Sequence, residues 1–225
     1  MGDVRTPRQS QSSNLIVKGS DSVHLPTLMD HLSLAPKVSF VRSSCSSLNN
    51  IAKLDENALL VLFTPVIAIP QTTGAEGAAL KHDPVDPFEA FGRDLARYHQ
   101  RIRHVPYLPS VGMTATHEAF ARRAGAIIIV MWGSTTTKSG NPSSSPFVEA
   151  TAPQRVFADA VRRNASPDSR SEAATPIVLF ITGTSQSTLT EKDLGDIFRN
   201  YGNILHSQEY SQLSSRQVVD ILFQE

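Results

Sequence analysis

Residues 102–131 read IRHVPYLPSVGMTATHEAFARRAGAIIIVM, and this run decides the fold. Ile102 to Tyr107 is a short β-favouring segment stopped by Pro109. Thr114 offers a side-chain oxygen to the open amides of a helix start, and Met113, His117, Phe120, Ala121 and Ala124 recur at helical spacing on one face. Gly125 is expected to end that helix. Ala126 to Met131 is apolar at every position, the pattern of a strand covered on both faces in the middle of a parallel sheet. A strand, a helix and a second parallel strand require a right-handed crossover, and repeated crossovers build an open sheet with helices on both sides. The expected fold class is α/β: an open, mostly parallel sheet in a flavodoxin-like three-layer sandwich.

Outward from this unit, strands are expected at Val38–Arg42, Ala58–Thr64, Pro176–Thr182 and Asn203–Ser207, the last as the sheet edge. Ser43–Asn57 reads as loop and helix-like material. The strongest helix signal runs from Asp86 to Gln100. Asp86 caps it, Pro87 takes its first turn, Glu89 completes a capping box, and Phe88, Phe91, Leu95 and Tyr98 form its buried stripe. A second helix is expected from Thr151 and Pro153 to Asn164, with Val156, Phe157, Ala160 and Val161 facing inward. Thr190 with Asp193 caps a short helix that buries Leu194, Ile197, Phe198 and Tyr201, and Gly202 closes it. Ser214 and Gln217 form the capping box of the last helix, which buries Val218, Ile221 and Leu222. Residues 71–84, 132–147 and 165–175 lack an apolar period and read as loops. Residues 1–37 are read as a polar tail with a short helix over Leu25–Leu34, and residues 38–225 as the domain.

Lysine plus arginine and aspartate plus glutamate balance at 21 each in the 225 residues, so no net field draws the chain to nucleic acid or to anionic lipid. The single cysteine, Cys45, excludes an intramolecular disulfide and a multi-cysteine metal site. No secretory leader or membrane-spanning run is visible, which makes the cytoplasm the expected location. His24 and His31 share a helical face but make a poor metal site as a pair, and no metal or other cofactor is expected. Gly74 and Gly77 follow no strand and precede no Lys-Ser/Thr, so they do not read as a phosphate-cradling loop. Arg93, Arg97, Arg101 and Arg103 read as a solvated face, with contact to a substrate anion as the alternative.

In open α/β sheets ligands bind outside the carboxyl ends of the strands. That rule selects Thr64, at the end of one buried strand, and Trp132, which lies at the base of the loop leaving the central strand and whose face could stack on a sugar ring. It also selects Gly183-Thr184-Ser185-Gln186-Ser187 after Pro176–Thr182. This turn approaches the Gly-x-Ser-x-Gly elbow of serine hydrolases, and Asp193 or Asp196 and His206 follow in the required order. However, Ser187 replaces the last glycine, His206 comes only 21 residues after Ser185, and no oxyanion motif appears.

The run from Arg103 to Met131 also carries a resemblance. A histidine (His104), the pair Pro106-Tyr107, the step Gly112-x-Thr114-x-x-His117 and the strand opening Ala124-Gly125-Ala126 are similar to the C-terminal α/β domain of glycoside hydrolase family 3, in its β-N-acetylhexosaminidase-like branch. The likeness extends more weakly over Val38 to Phe223, and Val38–Arg42 resembles the strand by which such chains leave the catalytic barrel. In that family a carboxylate nucleophile attacks the anomeric carbon. The resemblance implies that this nucleophile and a histidine-bearing acid/base loop sit on the N-terminal barrel. Neither is found here, and Lys81-His82-Asp83 is only a superficial echo of that loop. The resemblance therefore implies a domain of an enzyme that hydrolyses β-N-acetylhexosaminides, without catalytic residues of its own, that docks to a family 3 barrel. The alternative is a flavodoxin-like module that binds an amino sugar or other small ligand through Thr64, Tyr107, His117, Trp132, Thr184, Ser185 and Gln186.

Overall fold

The computed structural model describes residues 38–67, 86–133, 146–165, 174–184, 189–194 and 198–223. The chain divides into two units, Met1–Leu34 and Ala35–Glu225, and every described residue belongs to the second. The expectations for the tail, for His24 and His31, for Gly74 and Gly77 and for Lys81-His82-Asp83 lie outside the described residues.

Strands and helices alternate along the described chain. They are β1 (Ser39–Arg42), α1 (Cys45–Ala52), β2 (Leu59–Pro65), α2 (Glu89–Leu95), β3 (Ile102–Tyr107) and α3 (Ala115–Arg123), then β4 (Ala124–Trp132), α4 (Pro146–Asn164), β5 (Ile177–Thr182), α5 (Glu191–Leu194), β6 (Asn203–Ser207) and α6 (Gln212–Phe223). The sheet order is β1-β6-β5-β4-β2-β3; β1 runs antiparallel to β6 and every other pairing is parallel. The parallel strands thus follow the flavodoxin-like order, and the order reverses between β2 and β4. The α/β sandwich expected from the sequence is the observed fold.

Alternation along the strands sorts the core into two layers. Val61, Phe63, Ile127, Ile129, Met131, Leu179 and Ile181 point to the face covered by α3, α4 and α5. Leu60, Leu62, Ile128, Val130, Val178 and Phe180 point to the face covered by α1, α2 and α6. Ile127 to Met131 are wholly buried, at 0 % exposure, because β4 has helices above and below it and a strand on each side. Each such side chain contributes about 1.5 to 3 kcal/mol relative to an exposed one, which makes β4 the centre of the core.

Several local expectations are corrected by this packing. β6 is not an edge: all five of its residues are buried, because β1 adds on outside it, and the edges are β1 and β3. Arg42 locks β1 in place, with Nε 2.6 Å from Glu191 Oε1 and Nη1 donating to the carbonyls of Phe198 and Tyr201 at 2.7 and 3.0 Å. The helix expected over Asp86–Gln100 shrinks to α2, flanked by turns, and Tyr98 is 48 % exposed rather than part of the buried stripe. Asp86 accepts from the Phe88 amide at 2.9 Å, while Glu89 turns outward to Arg93 instead of closing a box. α4 begins at Pro146 and runs through Pro153. Burial of Thr151, Gln154 and Phe157 on one face outweighs the local cost of about 3 kcal/mol for a proline in a helix interior. Val156 is exposed.

α6 is capped one turn earlier than expected. Ser211 Oγ accepts from the Ser214 amide at 3.1 Å and Ser214 Oγ accepts from the Ser211 amide at 2.8 Å. Gln217 is thereby freed to take the Val38 amide of the entering chain at 3.1 Å. Gly125 lies inside β4 rather than ending α3. A Cβ there would stand 2.7 Å from Ala58 Cβ, so the glycine answers to the close approach of two chain segments.

Candidate functional site

The reversal of strand order between β2 and β4 is where this architecture opens a ligand crevice at the carboxyl ends. Here that crevice is filled by the protein's own side chains. β4 runs past β2, with pairing between them ending at Phe63–Ile129, so the next backbone groups of β4 need other partners. Tyr107, the last residue of β3, donates its hydroxyl to the Val130 carbonyl at 3.0 Å. Gln154 of α4 brackets Trp132: its Oε1 accepts from the Trp132 amide at 2.8 Å and its Nε2 donates to the Trp132 carbonyl at 2.7 Å. The side-chain amide thus imitates a neighbouring strand. Tyr107 also stacks on Phe157, with ring centroids 3.9 Å apart and planes 3° from parallel. Burial pushes the Tyr107 hydroxyl well above its ordinary pKa, so it stays a neutral donor.

His117 completes the plug. The Thr114 amide donates to its Nδ1 at 3.1 Å, the Thr114 hydroxyl lies 2.7 Å from the same nitrogen, and Nε2 is 3.1 Å from the Pro106 carbonyl. This is the arrangement of an Nε2–H tautomer, in which a capping box at the start of α3 is pinned to the end of β3. With its ring edge against Phe157 and both nitrogens engaged, His117 has no free position for a ligand.

Two further histidines lie along the strands. Thr64, wholly buried at the end of β2, places Oγ1 2.7 Å from His104 Nε2, and Asp86 Oδ2 lies 3.6 Å from that same nitrogen. Both partners address one nitrogen, so the group is a node that ties β2, β3 and the approach to α2 together rather than a proton relay. Desolvation holds His104 below its ordinary pKa, opposed by the nearby carboxylates of Asp86 and Glu89. On β6, His206 Nε2 is 2.8 Å from Thr184 Oγ1, and burial likewise lowers its pKa. The histidine that the serine-hydrolase reading needs is therefore joined to Thr184.

Of the seven candidates read from the sequence, Thr64, Tyr107, His117 and Thr184 are buried and bonded internally, and Ser185 and Gln186 lie outside the described residues. Trp132 alone of the described candidates keeps part of its surface exposed. Its ring lies against Gly183, whose φ is +72° and where a Cβ would fall 2.7 Å from the indole. Beyond the plug, the described residues of the rim expose apolar surface: Val66 after β2 and Leu108 and Val111 after β3 are 53 %, 48 % and 62 % exposed, with Ser110 exposed between the last two. Among the described residues no group of three or more His, Cys, Asp or Glu side chains could hold a metal ion, and no helix is long and apolar enough to cross a membrane.

Gln154 was not legible as a site residue, since a glutamine in an amphipathic helix carries no signature of what it will meet. His104 lies inside the run that carried the family resemblance, but its contact with Thr64 depends on the register of β2 against β3.

No protein-family model matches the chain and no curated protein matches it. Solved structures do. A fungal multi-domain GH3 β-N-acetylglucosaminidase, described as having a unique GCN5-related glucosamine N-acetyltransferase region, superposes with a TM-score of 0.54 at 12 % identity over 87 % of this chain. This chain spans 18 % of that one. The β-glucoside phosphorylase BglX gives 0.44 at 9 % identity, covering 84 % of this chain and 28 % of its own. A β-glucosidase from Listeria innocua in complex with gluconolactone gives 0.46 at 13 %, covering 82 % and 23 %. At such identities the likeness is one of fold.

Proposed function

We propose that this chain is a non-catalytic α/β module of the glycoside hydrolase family 3 C-terminal type, which docks through the carboxyl-end rim of its sheet onto a catalytic barrel acting on β-N-acetylhexosaminides. The observation that carries this reading is the state of that rim. Tyr107, His117 and Thr64 are spent there on internal hydrogen bonds, while Val66, Leu108 and Val111 face solvent beside them. Such a surface suits another protein better than a polar small molecule. The fold shared with a multi-domain GH3 enzyme, of which this chain spans 18 %, supports the same reading.

The test mixes the purified chain with a separately expressed family 3 β-N-acetylglucosaminidase barrel. Association is followed by calorimetry and turnover by hydrolysis of an aryl N-acetyl-β-glucosaminide. The chain alone is expected to show no hydrolysis, and the triple variant V66D/L108D/V111D to lose association while its melting temperature holds. Hydrolysis by the chain alone that vanishes on mutating one carboxylate would sink the reading, as would undiminished association of the triple variant. A second reading, amino-sugar binding at Trp132, draws on the partly exposed indole at the same rim. Saturable quenching of Trp132 fluorescence by N-acetylglucosamine would favour it over docking.

A further inference from the structure

The opposite end of the sheet carries a feature that neither docking nor sugar binding uses. A cavity of about 1030 Å³ opens at the amino ends of β2 and β4, floored by Leu59, Ala124 and Gly125. Five cations line it, Lys53, Arg101, Arg103, Arg122 and Arg123, against one carboxylate, Asp55. The chain as a whole is neutral, so this is a real concentration of charge.

Local structure accounts for part of it. Arg122 pairs with Glu118 one turn back, and Arg101 donates to the Asn57 carbonyl while keeping its charge. The cavity also lies at the carboxyl ends of α1 and α3, where Lys53, Arg122 and Arg123 complement the helix dipoles. Two helix ends supply only about half a negative charge each. Moreover, Arg101 and Arg103 sit at the start of β3 and belong to neither helix. Among the described residues Lys53, Arg101, Arg103 and Arg123 have no carboxylate partner.

We propose that this cavity is an anion site that takes a small ligand through a phosphoryl or pyrophosphoryl group held by Arg101, Arg103, Arg123 and Lys53. The count of cations decides between anions: a lone carboxylate occupies one guanidinium, whereas a group with two or more charges uses several. Arginine forks stay charged at any working pH and match phosphate oxygens two at a time. Each cation is exposed and weak singly, but their gathering around one concave space raises the local potential. The space suits a phosphorylated metabolite rather than a bare ion.

The test titrates the full chain with sodium pyrophosphate by calorimetry, with sodium sulfate at equal ionic strength as one arm and a poly-aspartate peptide as another. Saturable pyrophosphate binding is expected, weakened at least about tenfold in R103Q/R123Q because each lost charged hydrogen bond is worth that much. It should be unchanged in R93Q, whose arginine pairs with Glu89 on α2. K53Q/R103Q provides the same readout if the first pair fails to fold. The proposal is overturned if pyrophosphate shows no saturation, if sulfate or R103Q/R123Q binds equally well, or if only poly-aspartate binds.

Discussion

Gln154 offers the sharpest check of how the crevice is closed. Replacing it by leucine keeps the volume but strips one acceptor and one donor, so the Trp132 amide and carbonyl, now bonded at 2.8 and 2.7 Å, lose their partners. An unpaired buried polar group costs about 1 to 3 kcal/mol, and two of them about 2 to 6. Trp132 is partly exposed, so water can satisfy some of this loss, and the lower half of the range is expected. For a domain of this size each kcal/mol lowers the melting temperature by about 2 to 4 °C. Urea unfolding followed by tryptophan emission reads both the stability and the site, because Trp132 is the sole tryptophan of the chain. The midpoint should fall with the slope unchanged. Tyr107→Phe should cost about 1 kcal/mol, the value of one hydrogen bond. The double variant should cost less than the sum, because the Tyr107 hydroxyl lies 3.3 Å from Gln154 Oε1. A loss below about 0.5 kcal/mol in Gln154→Leu, the level of an ordinary surface change, would refute the bracket.

Further outcomes follow from the same contacts. Gly183→Ala should lose about 2 to 4 kcal/mol and shift Trp132 emission, since alanine disfavours the φ of +72° and its methyl would meet the indole; a neutral effect on thermal unfolding would contradict the packing. Both His104 and His206 have folded pKa values below the ordinary one, so the unfolded chain binds protons first. Their contribution is complete above pH about 6.5 and is lost as pH falls toward the folded values. His206→Gln should therefore flatten the decline of the urea midpoint as pH falls below about 6.5, and parallel curves for variant and parent would exclude His206 as its source. Arg42→Met should cost about 1 to 3 kcal/mol and speed hydrogen exchange in β1, because two carbonyls lose a charged donor. Glu191→Gln should cost well under 1 kcal/mol, its side chain being 60 % exposed. Equal losses in the two variants would show that the ion pair, not the carbonyl clamp, holds the strand.

The chain's own pattern carried the architecture because uninterrupted apolar runs leave little choice. Leu59–Pro65, Ala124–Trp132 and Ile177–Thr182 appear as strands within a residue or two of where the sequence reading put them. Helix limits were less legible. Asp86 and Pro87 announce a start, yet the turn they form precedes α2, and Pro153 misled because a proline may be carried inside a helix whose inner face is well packed. The rank of β6 in the sheet was hidden for a different reason: a strand does not record its neighbours, and β1 reaches it only after the chain closes on itself.

Hydrophobic spacing, read along the chain, was enough to determine the layered α/β class and the parallel strands, since each depends on residues near one another in sequence. Which polar groups are free was settled only in three dimensions. Tyr107, His117, Thr64 and Thr184 stand at the strand ends where a ligand would be sought, and the register of neighbouring strands and α4 turns them inward onto Val130, Pro106, His104 and His206. The gathering of Lys53, Arg101, Arg103 and Arg123 at the other end likewise follows from no single stretch of sequence. Those residues come from separate segments, and only the parallel alignment of β2, β3 and β4 brings their starts to one edge.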